Sequence, residues 1–462
     1  MQLSQSSLHS ILLSIDGFIW GPPLLILLVG TGVYFTFSLG LIQFKHLPTA
    51  LKMVFSKSDH NQSKGDVTAF AALCTALSAT IGTGNIVGVA TAIKLGGPGA
   101  LFWMWLAALF GMATKYAECL LAVKYRTTDD KGGMLGGPMY YLRDGVKSPV
   151  LATLFAVFAL GVALFGIGTF PQVNAILDAS EVTLGADRTY AAIVLTLLVA
   201  LVTLGGIKSI SRVAGKVVPT MAVIYIVACL GILINNSHQI LSAVELVIVS
   251  AFTPTAASGG FFGASVMLAI QSGIARGVFS NESGLGSAPM AAAAAKTDSC
   301  ARQGLISMTG TFFDTLIICT MTGLALIITG AWQTDLAGAM MTTHAFAVGL
   351  NADVLGPILV SVGLLFFAFT TILGWNYYGE RCVVYLFGTK AIMPYKVLFI
   401  ALVFSGAFMK LDMIWIIADI VNGLMAVPNL IGLIALRKVV ISETKLFFEH
   451  HLMVKNTLAQ TH

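Results

Sequence analysis

Apolar residues in this chain neither alternate with polar ones nor keep to one helical face. They run together for roughly twenty residues or more, again and again, and each run can cross a hydrocarbon core about 30 Å thick as an α-helix. The runs and their Gly, Pro and charged breakers predict eleven spans, near 17–43, 66–94, 98–125, 149–177, 189–206, 212–235, 262–294, 302–330, 356–387, 394–410 and 412–437. The stretch 239–255 is apolar but ends at Pro254, and reads as a re-entrant or surface helix. The pattern is that of an all-α polytopic membrane protein.

Composition agrees. Of 462 residues 57% are hydrophobic and 10% charged, with mean hydropathy +0.88, where soluble domains carry about 25% charged residues. A soluble enzyme, a nucleic-acid binder and a disordered scaffold are excluded. The net charge of +5 is no nucleic-acid footprint, because the basic residues are sorted by loop. With the N-terminus outside, the cytoplasmic segments hold Lys45, Lys52, Lys57, Lys64, Lys124, Arg126, Lys131, Arg143, Lys147, Lys390, Lys396, Arg437, Lys438, Lys445 and Lys455, among others. The opposite side holds only Lys94, Arg188 and Lys410, and the loop 331–351 has no Lys or Arg. This asymmetry predicts a cell (cytoplasmic) membrane protein with its N-terminus outside and its C-terminus inside. Residues 1–44 lack the basic start of a secretory signal, so the first run reads as a retained span. The six cysteines are scattered through apolar runs and read as buried thiols. No histidine falls at predicted membrane depth, which leaves an intramembrane metalloenzyme without ligands.

Two spans differ from the rest. The second holds Gly82, Thr83, Gly84, Asn85 and Gly88; the seventh holds Gln271, Ser272, Gly273 and Gly277. A glycine inside a helix costs about 1 kcal/mol relative to alanine, so such clusters call for a reason. Setting aside the first helix leaves ten, and the glycine-rich ones then open two groups of five. An odd number of spans per group inverts the second group, and interrupted helices at matching positions mark a transporter's binding site. Close packing is the competing explanation, since Gly84 and Gly88, like Gly273 and Gly277, have small-xxx-small spacing. Packing leaves Thr80, Thr83, Asn85, Gln271 and Ser272 without an explanation, because polar groups in hydrocarbon need partners. The expected organisation is 1–65 as N-terminus, extra helix and basic loop; 66–235 as the first repeat; 236–261 as an extracytoplasmic segment; 262–437 as the second repeat; and 438–462 as a cytoplasmic tail.

Further motifs narrow the class. The run Gly96-Gly97-Pro98-Gly99-Ala100-Leu101-Phe102-Trp103-Met104-Trp105, continuing to Gly111, resembles the signature of the alanine or glycine:cation symporters. So do Gly82-Thr83-Gly84-Asn85-Ile86, the block 136–141, Ala275-Arg276-Gly277 with Phe279-Ser280-Asn281-Glu282, and Phe369-Thr370-Thr371-Ile372-Leu373-Gly374-Trp375. The resemblance runs from about 66 to 380. It implies a LeuT-like core of five plus five helices after one extra helix, importing a small neutral amino acid with sodium and needing no organic cofactor. A monomer would suffice for transport.

Sodium prefers oxygen ligands. By similarity to LeuT-like transporters these are the carbonyls of Ser78 and Ile81, the carbonyl of Phe367, and the hydroxyls of Thr370 and Thr371. The alternative for the two threonines is bonding back to the preceding turn. The amino-acid carboxylate suits the free N–H groups and positive dipole end of a half-helix beginning near Gly82, Thr83, Gly84 and Asn85. Carbonyls of Gln271, Ser272 and Gly273 are expected to meet the ammonium. Gln172 is a further polar candidate, with a structural hydrogen bond as its alternative, and Trp375 and Ile274 are expected to bound a small side-chain pocket. Among charged residues, Lys115 and Glu118 have pairing distance on one helix, and Arg276 and Glu282 could form a gate or an ion pair. Asp314 leaves proton coupling open, and serine or glutamine remain alternative substrates. An ion channel would take its filter from oligomeric symmetry, and a hydrolase would require an activated nucleophile.

Overall fold

A computed structural model describes residues 2–56, 63–255, 263–409 and 411–460, with backbone alone at 2–8, 184, 411–415 and 450–460. Lys57, Lys410, the side chain of Lys455 and the end of the 236–261 segment lie outside the described residues. The chain opens with α1 (Gln2–Ile19) and α2 (Pro22–Ser38). The first predicted span is thus two helices, divided where Gly21 is extended and Pro22 starts the next turn, a position at which proline's missing N–H is harmless. The short α3 (Ile42–Lys45) and α4 (Leu47–Phe55) follow. Next come α5 (Ala69–Thr80) and α6 (Val89–Gly96), joined through a π turn at Gly84–Gly88, and then α7 (Gly99–Lys124). A hairpin of β1 (Thr127–Thr128) and β2 (Met134–Leu135) leads to α8 (Pro138–Tyr140), α9 (Pro149–Phe165), α10 (Phe170–Leu184), α11 (Arg188–Thr203) and α12 (Gly206–Asn235).

The second half holds α13 (Ile240–Phe252), α14 (Val266–Asn281), α15 (Ala288–Ala293) and α16 (Cys300–Thr311), which runs through a π stretch at Phe312–Cys319 into α17 (Thr320–Ile328). It ends with α18 (Gly338–Leu350), α19 (Leu355–Phe387), α20 (Ile392–Gly406), α21 (Leu411–Ala435) and α22 (Arg437–Gln460). The last helix is fastened to α7 by Lys124 Nζ on Glu443 at 2.7 Å, a hydrogen bond that holds the Glu443 carboxyl below its usual range.

Among the described residues eight helices are long and apolar enough to cross a membrane, and nine if α5 and Gly84–Gly96, bent by 52°, form one span. The other two predicted spans fall on α11, short for the hydrocarbon core at 16 residues, and on α14 with α15, which are interrupted. The stretch 239–255 is the short helix α13, resting on α7. Both interrupted helices lie against α7, and α5 also packs on α12 and α19.

The interruption of the seventh span lies elsewhere than expected. α14 runs unbroken past Gln271, Ser272, Gly273 and Gly277, and the chain leaves the helix at 282–287. There Glu282, Gly284 and Gly286 take positive φ of 55°, 92° and 84°, which glycine adopts freely. Gly273 and Gly277 instead let α14 lie close on α7. A Cβ at Gly273 would run into the Ala100 carbonyl and lie 2.8 Å from Trp103 Cβ, and one at Gly277 would lie 3.0 Å from Met104 Cγ. For these two glycines close packing is the explanation that holds.

Gly273→Ala should therefore lower stability by about 1–3 kcal/mol through overpacking. Gly88→Ala, with nothing within 4 Å of its added Cβ, should be neutral or slightly stabilising. Thermal unfolding of the purified variants, followed by size-exclusion fluorescence, checks the pair; equal midpoints would contradict the packing role.

Candidate substrate and ion site

The first break exposes backbone oxygen. α5 ends at Thr80, and Ile81 turns out of the helix at ψ 93°. In an unbroken helix the Ser78 carbonyl would accept from the Gly82 N–H, but that N–H donates to Asn85 Oδ1 at 2.9 Å. The Ile81 carbonyl likewise loses the Asn85 N–H, which bonds to the Gly82 carbonyl at 3.3 Å. Beside these carbonyls lies α19. A Cβ at Gly82 would sit 2.5 Å from the Thr371 hydroxyl, and one at Gly374 would sit 2.9 Å from Ser78 Oγ. Thr370 and Thr371 both donate to the Phe367 carbonyl at 3.0 Å, so the back-bonded arrangement is the one present. Ser78, Ile81, Phe367, Thr370 and Thr371 are all buried, on facing stretches of α5 and α19.

A carboxylate bolts the two broken helices together. Asp314, buried in the π stretch, accepts from Asn85 Nδ2 at 2.8 Å, from Ser280 Oγ at 2.9 Å and from Thr315 Oγ1 at 2.7 Å. Asn85 belongs to the first broken helix and Ser280 to the second. Both ends of the Asn85 side-chain amide are occupied, and its backbone N–H bonds to the Gly82 carbonyl, which leaves the N–H groups nearer Thr83 and Gly84 for an anion. The second break is held from other sides. Asn429 Nδ2 donates to the Gly284 carbonyl at 2.9 Å and to Glu118 Oε1 at 2.6 Å, and Ser287 Oγ donates to Glu282. Lys115 does not pair with Glu118. Its ammonium is buried without a hydrogen-bond partner, in the field of Glu118, Glu282 and Asp314.

The remaining expected residues divide. Gln172 donates to Thr83 Oγ1 and to the Ile167 carbonyl, both at 3.1 Å, and its Oε1 has no partner. Trp375 is fully buried against Gly168, and its indole lies next to Glu282 without closing a hydrogen bond. Ile274 is buried in the same apolar core as Trp375. Above Thr83 a cavity of about 680 Å³ opens between α10, α18 and α19, with Val87, Asn174, His344 and Ser361 in its wall. Gln271 and Ser272 are not there. They line a separate cavity of about 230 Å³ with Asp16, Trp20, Arg276 and Asp419, and the Ser272 hydroxyl bonds back to Leu268. Arg276 pairs with Asp419 at 2.9 Å across that cavity, in place of the expected Glu282. Sequence reasoning missed Ser280, Asn429 and the Gly284–Gly286 turn; the run Asn281-Glu282-Ser283-Gly284-Leu285-Gly286-Ser287 carries the turn signal.

Comparison with known proteins gives the family. Residues 5–460 match the profile of the sodium:alanine symporter family. The chain is 52% identical to the sodium/alanine symporter AgcS of Methanococcus maripaludis, over 95% of this chain and 97% of that one. It is 61% identical to a Haemophilus influenzae protein described only as an uncharacterised transporter, over 96% of this chain and 97% of that one. Among solved structures it resembles MhsT in complex with L-phenylalanine, with TM-score 0.56 and 11% identity, over 83% of this chain and 99% of that one, a likeness of fold alone.

Replacing Asp314 separates shape from acceptor strength. In Asp314→Asn the amide N–H can face the Ser280 and Thr315 hydroxyls, which turn to accept, so folding should be close to wild type. Asp314→Ala leaves buried donors unmatched and should cost about 2 kcal/mol or more. The check is the unfolding midpoint of each variant; an alanine variant as stable as the asparagine one would remove the bolt.

Proposed function

The chain belongs to the sodium:alanine symporter family, a multi-pass membrane transporter and not an enzyme, and on that premise we propose how its two breaks hold the sodium ion and the amino acid it carries. Its core has the LeuT-like fold expected from the sequence, preceded by one extra span made of α1 and α2. The cargo is alanine, with glycine as the nearest alternative, and sodium moves with it. Sodium sits among the carbonyls of Ser78, Ile81 and Phe367 and the hydroxyls of Thr370 and Thr371. The observation that supports this is the diversion of the Gly82 and Asn85 N–H groups, which strips two carbonyls of their helical partners beside a threonine pair.

The alanine carboxylate then takes the N–H groups around Thr83 and Gly84, at the positive end of the second half-helix. The ammonium is met by Gln172 Oε1 and by carbonyls of the second break, which replace those of Gln271, Ser272 and Gly273. Trp375 and Ile274 close the space around a methyl-sized side chain. Asp314 favours sodium over proton coupling, because three donors already satisfy it as an acceptor. One chain holds both broken helices, so a monomer suffices. The basic-loop asymmetry puts the protein in the cytoplasmic membrane with its N-terminus outside.

Removing both hydroxyls, in Thr370→Val with Thr371→Val, nearly conserves volume and deletes two oxygen ligands. The half-saturating sodium concentration for alanine uptake into proteoliposomes should rise about tenfold or more, equivalent to about 1.4 kcal/mol. A well-folded double variant with wild-type sodium dependence puts the ion elsewhere. A competition panel with glycine, serine and glutamine on the wild type ranks the substrates.

A further inference from the structure

On the face opposite the 680 Å³ cavity, the chain entering α5 lies against the chain leaving α15. Val67 and Ala295 form a parallel bridge. The Asp66 and Val67 N–H groups donate to the Ala294 carbonyl at 2.8 and 3.2 Å, and the Lys296 N–H donates to the Val67 carbonyl at 2.7 Å. Gly65 makes the approach possible, with φ 155° and a Cβ position that the Lys296 backbone would fill. The ends of both broken helices are strapped together here.

Arg126, two residues past the end of α7, reaches over this strap. Its Nη1 donates to the carbonyls of Ala293 and Ala295 at 3.1 and 2.7 Å, and its Nη2 to those of Lys64 and Thr297 at 3.0 and 2.7 Å. Three of these carbonyls follow α15 or end it, and one precedes α5. The neighbouring hairpin is braced into the same face: the Met134 N–H donates to Asp66 Oδ2 at 2.9 Å, and Arg381 donates to the Met134 carbonyl. A rigid guanidinium fork matches such a set of acceptors, which a lysine's point charge cannot span. A solute that enters above Thr83 and crosses the membrane has to leave on this opposite face, where the two strapped segments lie. Arg126 thus ties the two segments to each other, not to α7 alone.

We propose that Arg126 is the positioning residue of the gate on this face, and that release of its four carbonyls is the step that opens the way out. The proposal rests on the reading of the chain as a transporter that opens to one side at a time, but not on which solute or ion is carried.

Cys382 reports on the gate. It is fully buried on α19, with its Sγ 3.8 Å from Met290 Sδ of α15, so it is uncovered when α15 swings away. Cys229, buried in a separate apolar cluster with α12 and α19, is the control. The full-length protein in nanodiscs is labelled with N-ethylmaleimide, and the rate at each cysteine is read by peptide mass spectrometry. Arg126→Ala should raise the Cys382 rate about tenfold with Cys229 unchanged, and Arg126→Lys should fall between. Gly65→Ala, which pushes the strap apart by another route, should act in the same direction. A folded Arg126→Ala protein that labels Cys382 at the wild-type rate overturns the proposal. So does a parallel rise at Cys229, which would mean general loosening. Labelling involves no substrate, so a failed alanine assignment leaves the gate result intact, and a failed gate leaves the uptake result intact.

Discussion

Inside a bilayer a backbone N–H or C=O without a partner costs several kcal/mol, and this chain interrupts two helices at that depth. Several buried polar side chains are placed to meet that cost. Asn85 takes the Gly82 N–H into its own amide, and Asn429 supplies the Gly284 carbonyl. Asp314 then ties the first break to the second through Asn85 and Ser280. What these groups leave unmatched, the carbonyls of Ser78 and Ile81 and the Oε1 of Gln172, is what a cation and an ammonium can use.

The fold class, the extra first span and the first break were legible in the sequence, because composition and a glycine-rich polar run each report directly on them. The second break was not placed, for a physical reason. Glycine spacing in a membrane helix reports small cross-section, and small cross-section serves both packing and interruption. Gly273 and Gly277 have no positive φ and face α7, while Gly284 and Gly286 have positive φ and sit on either side of Leu285, between Ser283 and Ser287, in a turn-forming run. The turn chemistry around Asn281, Ser283 and Ser287 distinguishes the two pairs; glycine density does not.

Charges were misjudged for a related reason. Sequence spacing finds partners on one helix, as for Lys115 with Glu118 or Arg276 with Glu282, but Arg276 and Glu118 find theirs across helices. Arg276 meets Asp419 of α21, Glu118 meets Asn429 of the same helix, and Lys396 of α20 meets Glu380 of α19 at 3.0 Å. In a bundle of long helices the neighbours of a buried charge are set by topology. One sequence without its fold does not supply them.

The two functions of the first broken helix then come together. α5 is a helix of 12 residues, about 18 Å long at 1.5 Å per residue. One end carries the freed Ser78 carbonyl next to Gly82, which packs on Thr371, and the other follows directly on the strap of Asp66 and Val67 beneath Arg126. If the ion binds where we propose, between Ser78 and Thr371, it would fix α5 against α19. With that end fixed, the other end would keep the register that lets Val67 bridge Ala295 and the Arg126 fork reach both segments. Without the cation the helix would be free to tilt, and a tilt of a short rigid rod moves its far end most. The proposed ion site and the proposed gate would then be coupled through the stiffness of a single helix, with no chain of side-chain contacts required between them.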